Sequence, residues 1–293
     1  MEDERTGEGS GGKEFRRVLD VLRDRMANGT YALGSSLPAQ RLLAEEFDVS
    51  RDTVQRVVRT LAGEGWVESR QGSGSRVIKT QRIQAAAPQG ANPRSMRLVE
   101  IISEAFDKPQ VTLDVCTLTS ESLDTHVRLQ AERIREKQIE PQRIAVRMLM
   151  PSRALDMPFP SNQAEPSDPR PVERLWNIAE RHTASLRYVL DSLRVEKLVP
   201  EVSLQIHRVL LAPAFKLYLF NGSDALFAPY KLVQRPIILD SGEEIDAIDT
   251  LGVGADFTHY ERSPDTGSPG SFFVDSMQTW FDSVWDHLPG QGV

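Results

Sequence analysis

Between Lys13 and Lys79 an apolar helical spacing recurs three times and is then broken by glycines, which leaves few ways for this stretch to fold. Phe15, Val18, Leu19, Leu22 and Met26 lie on one helical face, and Asn28-Gly29 closes that segment. A short extended stretch, Thr30 to Leu37, leads through Pro38 into a second helix bearing Leu42, Leu43 and Phe47. Asp48-Val49 makes a tight connection. Ser50 follows, a residue type whose hydroxyl satisfies a free N–H at a helix start. The third helix turns Val54, Val57, Val58 and Leu61 inward and stops at Gly63 and Gly65. WVESRQGSGSRVIK then gives two short alternating runs around Gly72-Ser73-Gly74, a hairpin signal. Helix, helix, short turn, helix, hairpin is the order of a winged helix-turn-helix.

Charge separates this segment from the rest. The whole chain carries −7, yet residues 13–82 hold thirteen Lys/Arg against nine Asp/Glu, a local +4. Residues 1–12 carry −3, from four acids and Arg5, which leaves −8 for residues 83–293. A basic module joined to an acidic one is the distribution expected of a DNA-binding domain fused to a second domain. Residues 1–12, acidic and glycine-rich, read as a flexible tail. They lack the apolar core of a signal peptide, and no run of eighteen apolar residues occurs, so a cytoplasmic protein without a membrane span is expected. The single cysteine, Cys116, has no partner for an internal disulfide.

Gly29 to Val77 resembles the DNA-binding domain of GntR-type bacterial regulators. The resemblance rests on Gly29, Gly34, Leu37-Pro38, Arg41, Leu43-Ala44, Val49-Ser50-Arg51, Thr53-Val54, Leu61, Glu64-Gly65, Gly72, Gly74 and Val77. It implies that the third helix enters the major groove with its N-terminal end toward the bases. With the valines inward, Arg51, Gln55 and Arg56 face out. Arg51 suits guanine O6/N7 and Gln55 suits adenine N6/N7. Ser50 and Thr53, with the free N–H groups of the helix start, suit a phosphate. Arg41 would clamp the DNA backbone or reach a base, and Gln71 and Gly72 in the wing would approach the minor groove or the sugar-phosphate. Two positions depart from the pattern: Asp52 places an acid in the recognition helix, and Gln55 stands where an arginine is often found. Ala39, in place of a serine, costs the second helix a cap.

Residues 80–96, with Ala, Gln, Gly and two prolines but no apolar periodicity, read as a linker. Residues 97–293 alternate between helical and strand patterns, which predicts a larger α/β domain with a mixed sheet. Helices are expected over Arg97–Phe106, Ser122–Lys137, Val172–Leu193 and Phe272–Leu288. Strands are expected over Val111–Leu118, Ile144–Met150, Ser203–Leu211, Phe215–Phe220 and Ala225–Leu232, with a short one near Ile237. Residues 151–171 read as a polar, proline-rich loop. The aromatic stripe of the last helix (Phe273, Trp280, Phe281, Trp285) is expected to pack on the sheet.

GntR-type regulators carry appended domains of several kinds that sense a small molecule and dimerise. The metal-binding helical kind needs clustered histidines, whereas His126, His182, His207, His259 and His287 are scattered, so no metal is expected, and no cofactor. An aminotransferase-like domain would be much longer. A chorismate-lyase-like sensor fits the fold class but is usually smaller. AFKLYLFNGSDALFAPY (Ala214–Tyr230) resembles the strand-turn-strand of phospholipase D-like domains, with Ala214 where the nucleophilic histidine belongs, Lys216 at the lysine and Asn221-Gly222 after it. Without the histidine, covalent phosphodiester chemistry has no nucleophile there. Lys216 and Asn221 remain candidates for holding a phosphate or carboxylate.

The expectation is thus a non-enzymatic, homodimeric regulator that binds a near-palindromic duplex operator and senses a small molecule. Two alternatives stay open: a DNA-binding module fused to an enzyme acting on phosphate esters, and a DNA-binding protein that needs no effector.

Overall fold

The computed structural model describes residues 8–27, 30–31, 35–63, 66–70, 74–77, 82–85, 96–251, 257–265 and 267–288. They fall into two compact units. The first comprises residues 1–80, 159–174 and 232–254; the second comprises 81–158, 175–231 and 255–293.

In the first unit, α1 (Glu8–Ala27), α2 (Gln40–Phe47) and α3 (Arg51–Gly63) precede the hairpin β1 (Val67–Arg70) and β2 (Gly74–Val77). Their apolar faces meet in one core of Phe15, Val18, Leu22, Met26, Leu43, Phe47, Val54, Val57, Val58, Leu61 and Trp66, all buried. Complete burial of each such aliphatic side chain contributes about 1.5–3 kcal/mol. Leu42 is not in this core: it is 49% exposed, and the buried face of α2 runs through Leu43, Ala44 and Phe47 instead. The α2–α3 turn forms because Asp48 adopts the left-handed conformation (φ 52°), which aspartate tolerates, and its N–H reaches Ala44 O. Ala39 makes no side-chain cap at the start of α2, as expected of alanine.

Two further pieces of chain join this unit. β7 (Ser161–Asn162), β11 (Lys231–Ile238) and β12 (Glu244–Leu251) form a three-stranded sheet in the order β11-β12-β7. Ile238 packs against the helix-turn-helix core, and Arg16 of α1 pairs with Asp240 at 2.7 Å. Residues 151–171 are therefore not loop alone, and residues 159–174 and 232–254 group with the N-terminal helices. β12 carries acids poorly suited to a strand, among them Asp249, which is buried against Arg235 of β11 at 2.5 Å.

The second unit is built on an eight-stranded mixed sheet. In chain order its strands are β3 (Arg82–Ala85), β4 (Met96–Arg97), β5 (Gln110–Cys116), β6 (Arg143–Pro151), β8 (Glu201–Val209), β9 (Phe215–Phe220), β10 (Asp224–Pro229) and β13 (Phe257–Glu261). They lie in the order β4-β3-β13-β10-β9-β5-β6-β8. β5, β6 and β8 are parallel, joined by crossovers through α5 (Glu121–Arg135) and α6 (Arg170–Val195). β9 and β10 form the hairpin signalled by Asn221-Gly222, both at positive φ (51° and 65°) in a three-residue connection that Ser223 N–H closes by donating to Phe220 O. The expected linker holds β3 and β4, and residues 8–12 of the expected tail are helical.

α4 (Leu98–Phe106), α5 and α6 cover one face of the sheet, with Ile102, Phe106, Val127, Ile134, Leu186 and Leu190 against Val111, Leu113, Val146, Met148 and Tyr218. On the opposite face α7 (Pro269–His287) lays Val274 and Phe281 on Cys116, Leu149, Leu217 and Leu219, with Trp280 and Trp285 alongside. Ser268 caps α7 by accepting from Ser271 N–H. Among the described residues, no helix is long and apolar enough to cross a membrane.

Candidate nucleic-acid interface

α3 begins at a closed cap. Ser50 Oγ accepts from the Thr53 backbone N–H at 3.1 Å and lies 2.9 Å from Thr53 Oγ1. Its hydroxyl thus settles one of the helix's orphan donors, a contribution of about 1 kcal/mol. Thr53 is only 8% exposed, so its side chain serves the cap and the core, while Ser50 stays at the surface. The valines and Leu61 are sealed inward at 0–4% exposure. That anchoring fixes which side chains the helix offers to solvent.

Arg51, Asp52, Gln55 and Arg59 are exposed. Arg51, Gln55 and Arg59 recur at intervals of four and make one row along the helix. Sequence reasoning named the first two and passed over Arg59, although the same interval marks it. Arg56 is turned another way. Its guanidinium sits 5.2 Å from the Phe15 ring centroid, and Nη2 donates to Gly242 O at 3.5 Å, so it ties α3 to α1 and to the turn between β11 and β12. Arg41 is 65% exposed on α2, 3.7 Å from Glu45 one turn on, and such a solvated pair is weak enough to yield to a phosphate.

The hairpin is in register from Val67↔Val77 to Arg70↔Gly74. Its base is fixed by Trp66, whose N–H donates to Leu61 O, and by Leu37 N–H donating to Ser75 O. Gln71 and Gly72, the expected wing contacts, lie outside the described residues.

Lys216 and Asn221 do not come together. Lys216, at the start of β9, is 2% exposed and 3.4 Å from Ser122 Oγ, and burial pushes its ammonium down to about 8. Asn221, past the other end of that strand, accepts from Thr112 N–H and donates to Ala105 O, which locks the turn. His182 lies on α6 with Nδ1 2.9 Å from buried Asp124. Ser185 Oγ donates to the same carboxylate at 2.5 Å. Among the described residues no cluster of His, Cys, Asp and Glu is arranged to hold a metal ion.

Comparisons with known proteins bear on the first unit. Residues 15–77 match the model of the bacterial regulatory proteins, gntR family. A 74-residue stretch is 45% identical to the Exu regulon transcriptional regulator of Escherichia coli K12, covering 25% of this chain and 29% of that protein. A 69-residue stretch is 39% identical to the mannosyl-D-glycerate transport/metabolism system repressor MngR of the same strain, covering 24% and 28%. Among solved structures, a Streptococcus agalactiae GntR protein is 36% identical over 22% of this chain and 31% of its own, with a TM-score of 0.21. The chain therefore spans under a third of the length of these curated relatives.

Proposed function

We propose that this chain, which carries a GntR-family helix-turn-helix domain at residues 15–77, is a sequence-specific DNA-binding transcriptional regulator whose second unit senses a small molecule and dimerises. The observation that carries the reading is the row Arg51, Gln55 and Arg59, exposed on a helix whose opposite face is sealed into the core. Arg51 reads guanine, Gln55 reads adenine, and Arg41, Arg59 and Ser50 hold phosphates. Arg56 supports α3 from behind and is left out of the base-reading set.

Two such helices in a homodimer reach successive major grooves when the operator half-sites of a near-palindrome are centred about one helical turn apart, roughly 34–36 Å, or a multiple of it. An effector regulates by favouring one separation of the helices over another, and the shift in DNA affinity equals its differential affinity for the two states. Gel-shift titration of wild type and Arg51→Ala at a stated salt concentration tests the assignment. The variant should lose about 10- to 100-fold in specific affinity, the value of one bidentate base contact of about 1–3 kcal/mol, and keep its non-specific binding. Unchanged discrimination between operator and random DNA would remove Arg51 from the interface.

A further inference from the structure

Parallel strands are ordinarily apolar on both faces, because helices cover both. β5, β6 and β8 break that rule in their first halves. QVTLDVC, RIAVRMLMP and EVSLQIHRV each alternate polar with apolar. The register stacks the polar positions into rows: Gln110, Arg143 and Glu201; Thr112, Ala145 and Ser203; Asp114, Arg147 and Gln205. The next row, Cys116, Leu149 and His207, lies under α7, where Trp285 stacks on the His207 ring at 3.7 Å. α7 thus covers the carboxyl-end half of this face and leaves the amino-end half open.

The open half is concave, with a volume of about 640 Å³. Thr112, Ala145 and Ser203 make a floor of short side chains, and the turn Asn221-Gly222 forms one wall. Arg143, 3.6 Å from Glu201, forms another. The third wall is a rigid polar network. Arg147 donates to both carboxylate oxygens of Asp114 (2.7 and 2.6 Å) and to Asp282 of α7 (2.7 Å), and Gln278 Nε2 donates to Asp114 (2.8 Å). Phe281 and Trp285 hold the guanidinium from below, 5.1 and 5.4 Å from its carbon.

We infer that this groove binds a neutral, polyhydroxylated ligand of mono- or disaccharide class. Its size falls in the range of small-molecule sites. It has no apolar anchor of the kind that centres a protein–protein interface. Charge narrows the class: Arg147 is committed to Asp114 and Asp282, and Arg143 stands 3.6 Å from Glu201, so neither arginine is left unpaired for an anion and each of these acids already faces a guanidinium rather than a cationic ligand. What the walls offer is carboxylate acceptors held in place by Arg147 and by the Gln278 amide N–H groups, beside the Arg143 guanidinium and the Thr112 and Ser203 hydroxyls. Vicinal hydroxyls, each donor and acceptor at once, match that pairing. The inference rests on the sensing role proposed above only for its regulatory meaning, and the binding itself is measured without DNA.

The test is calorimetric titration and thermal shift of the full-length chain with glucose, galactose, mannose, fructose, sucrose, maltose and trehalose, against glucuronate, glucosamine and glucose 6-phosphate. At least one neutral sugar should bind. Ala145→Phe, which fills the floor from the solvent side, should weaken it at least about tenfold, about 1.4 kcal/mol. Asp282→Asn should weaken it too, with the melting temperature of either unliganded variant near that of wild type. Binding by none of the neutral sugars, by charged ones alone, or undiminished in Ala145→Phe overturns the inference. Loss of operator binding with sugar binding intact would count against the regulator reading and leave the groove standing.

Discussion

The outer row of α3 and the open half of the β5-β6-β8 face are both polar surfaces with a sealed apolar back, yet they are built in opposite ways. Arg51, Gln55 and Arg59 come from one helix, at one interval, above valines that the same turns bury. The groove needs three strands, a turn and α7, gathered from residues 112 to 282. A local surface is settled by helix periodicity, whereas a surface assembled across a sheet is settled by register and by how far its covering helix reaches.

The two surfaces also rest on separate cores, and the comparison is broken most sharply there. Leu61 is fully buried in the helix-turn-helix core and absent from both cores of the second unit. Leu61→Ala should destabilise the first unit by about 2–5 kcal/mol and lower DNA affinity, with saccharide affinity unchanged in calorimetry. A matching fall in saccharide affinity would show that the cores are not independent.

Mild acid, between pH 7 and pH 5, should act on the second unit, which holds all five histidines. His126 is fully buried, and desolvation, aided by the nearby Lys216 charge, pushes its imidazole down to about 4 from an ordinary value near 6.5. Below the ordinary value the unfolded chain takes up the proton first, so stability falls as pH drops toward 4. Between pH 7 and pH 5 this amounts to about 2 kcal/mol. Urea unfolding followed by tryptophan emission at the two pH values should show that loss in wild type and not in His126→Gln. An equal loss in the variant would place the acid sensitivity elsewhere.

Legibility in the sequence followed the same division. The three N-terminal helices, the Ser50 cap and the hairpin stand in contiguous residues with strong periodicity, and they fold as read. Arg56 could not be placed from periodicity, because its partners Phe15 and Gly242 are distant in the chain. Leu42, Leu43 and Phe47 mark α2 as apolar in the sequence, but only packing shows that the buried face runs through Leu43, Ala44 and Phe47. β12 went unseen because Asp246 and Asp249 mask a strand whose buried Asp249 is paired with Arg235 across the sheet. The groove did leave a trace: alternation in QVTLDVC and RIAVRMLMP, within parallel strands, marks a face that α7 covers only in part.

The central claim, that the row headed by Arg51 reads base sequence, is tested most directly by in vitro selection from a randomised duplex pool at fixed salt. The account predicts enrichment of an inverted repeat with half-sites about one helical turn apart or a multiple of it, containing a guanine whose preference relaxes in Arg51→Ala. A pool that stays random after repeated rounds would contradict it, and so would the same repeat recovered unchanged with the variant.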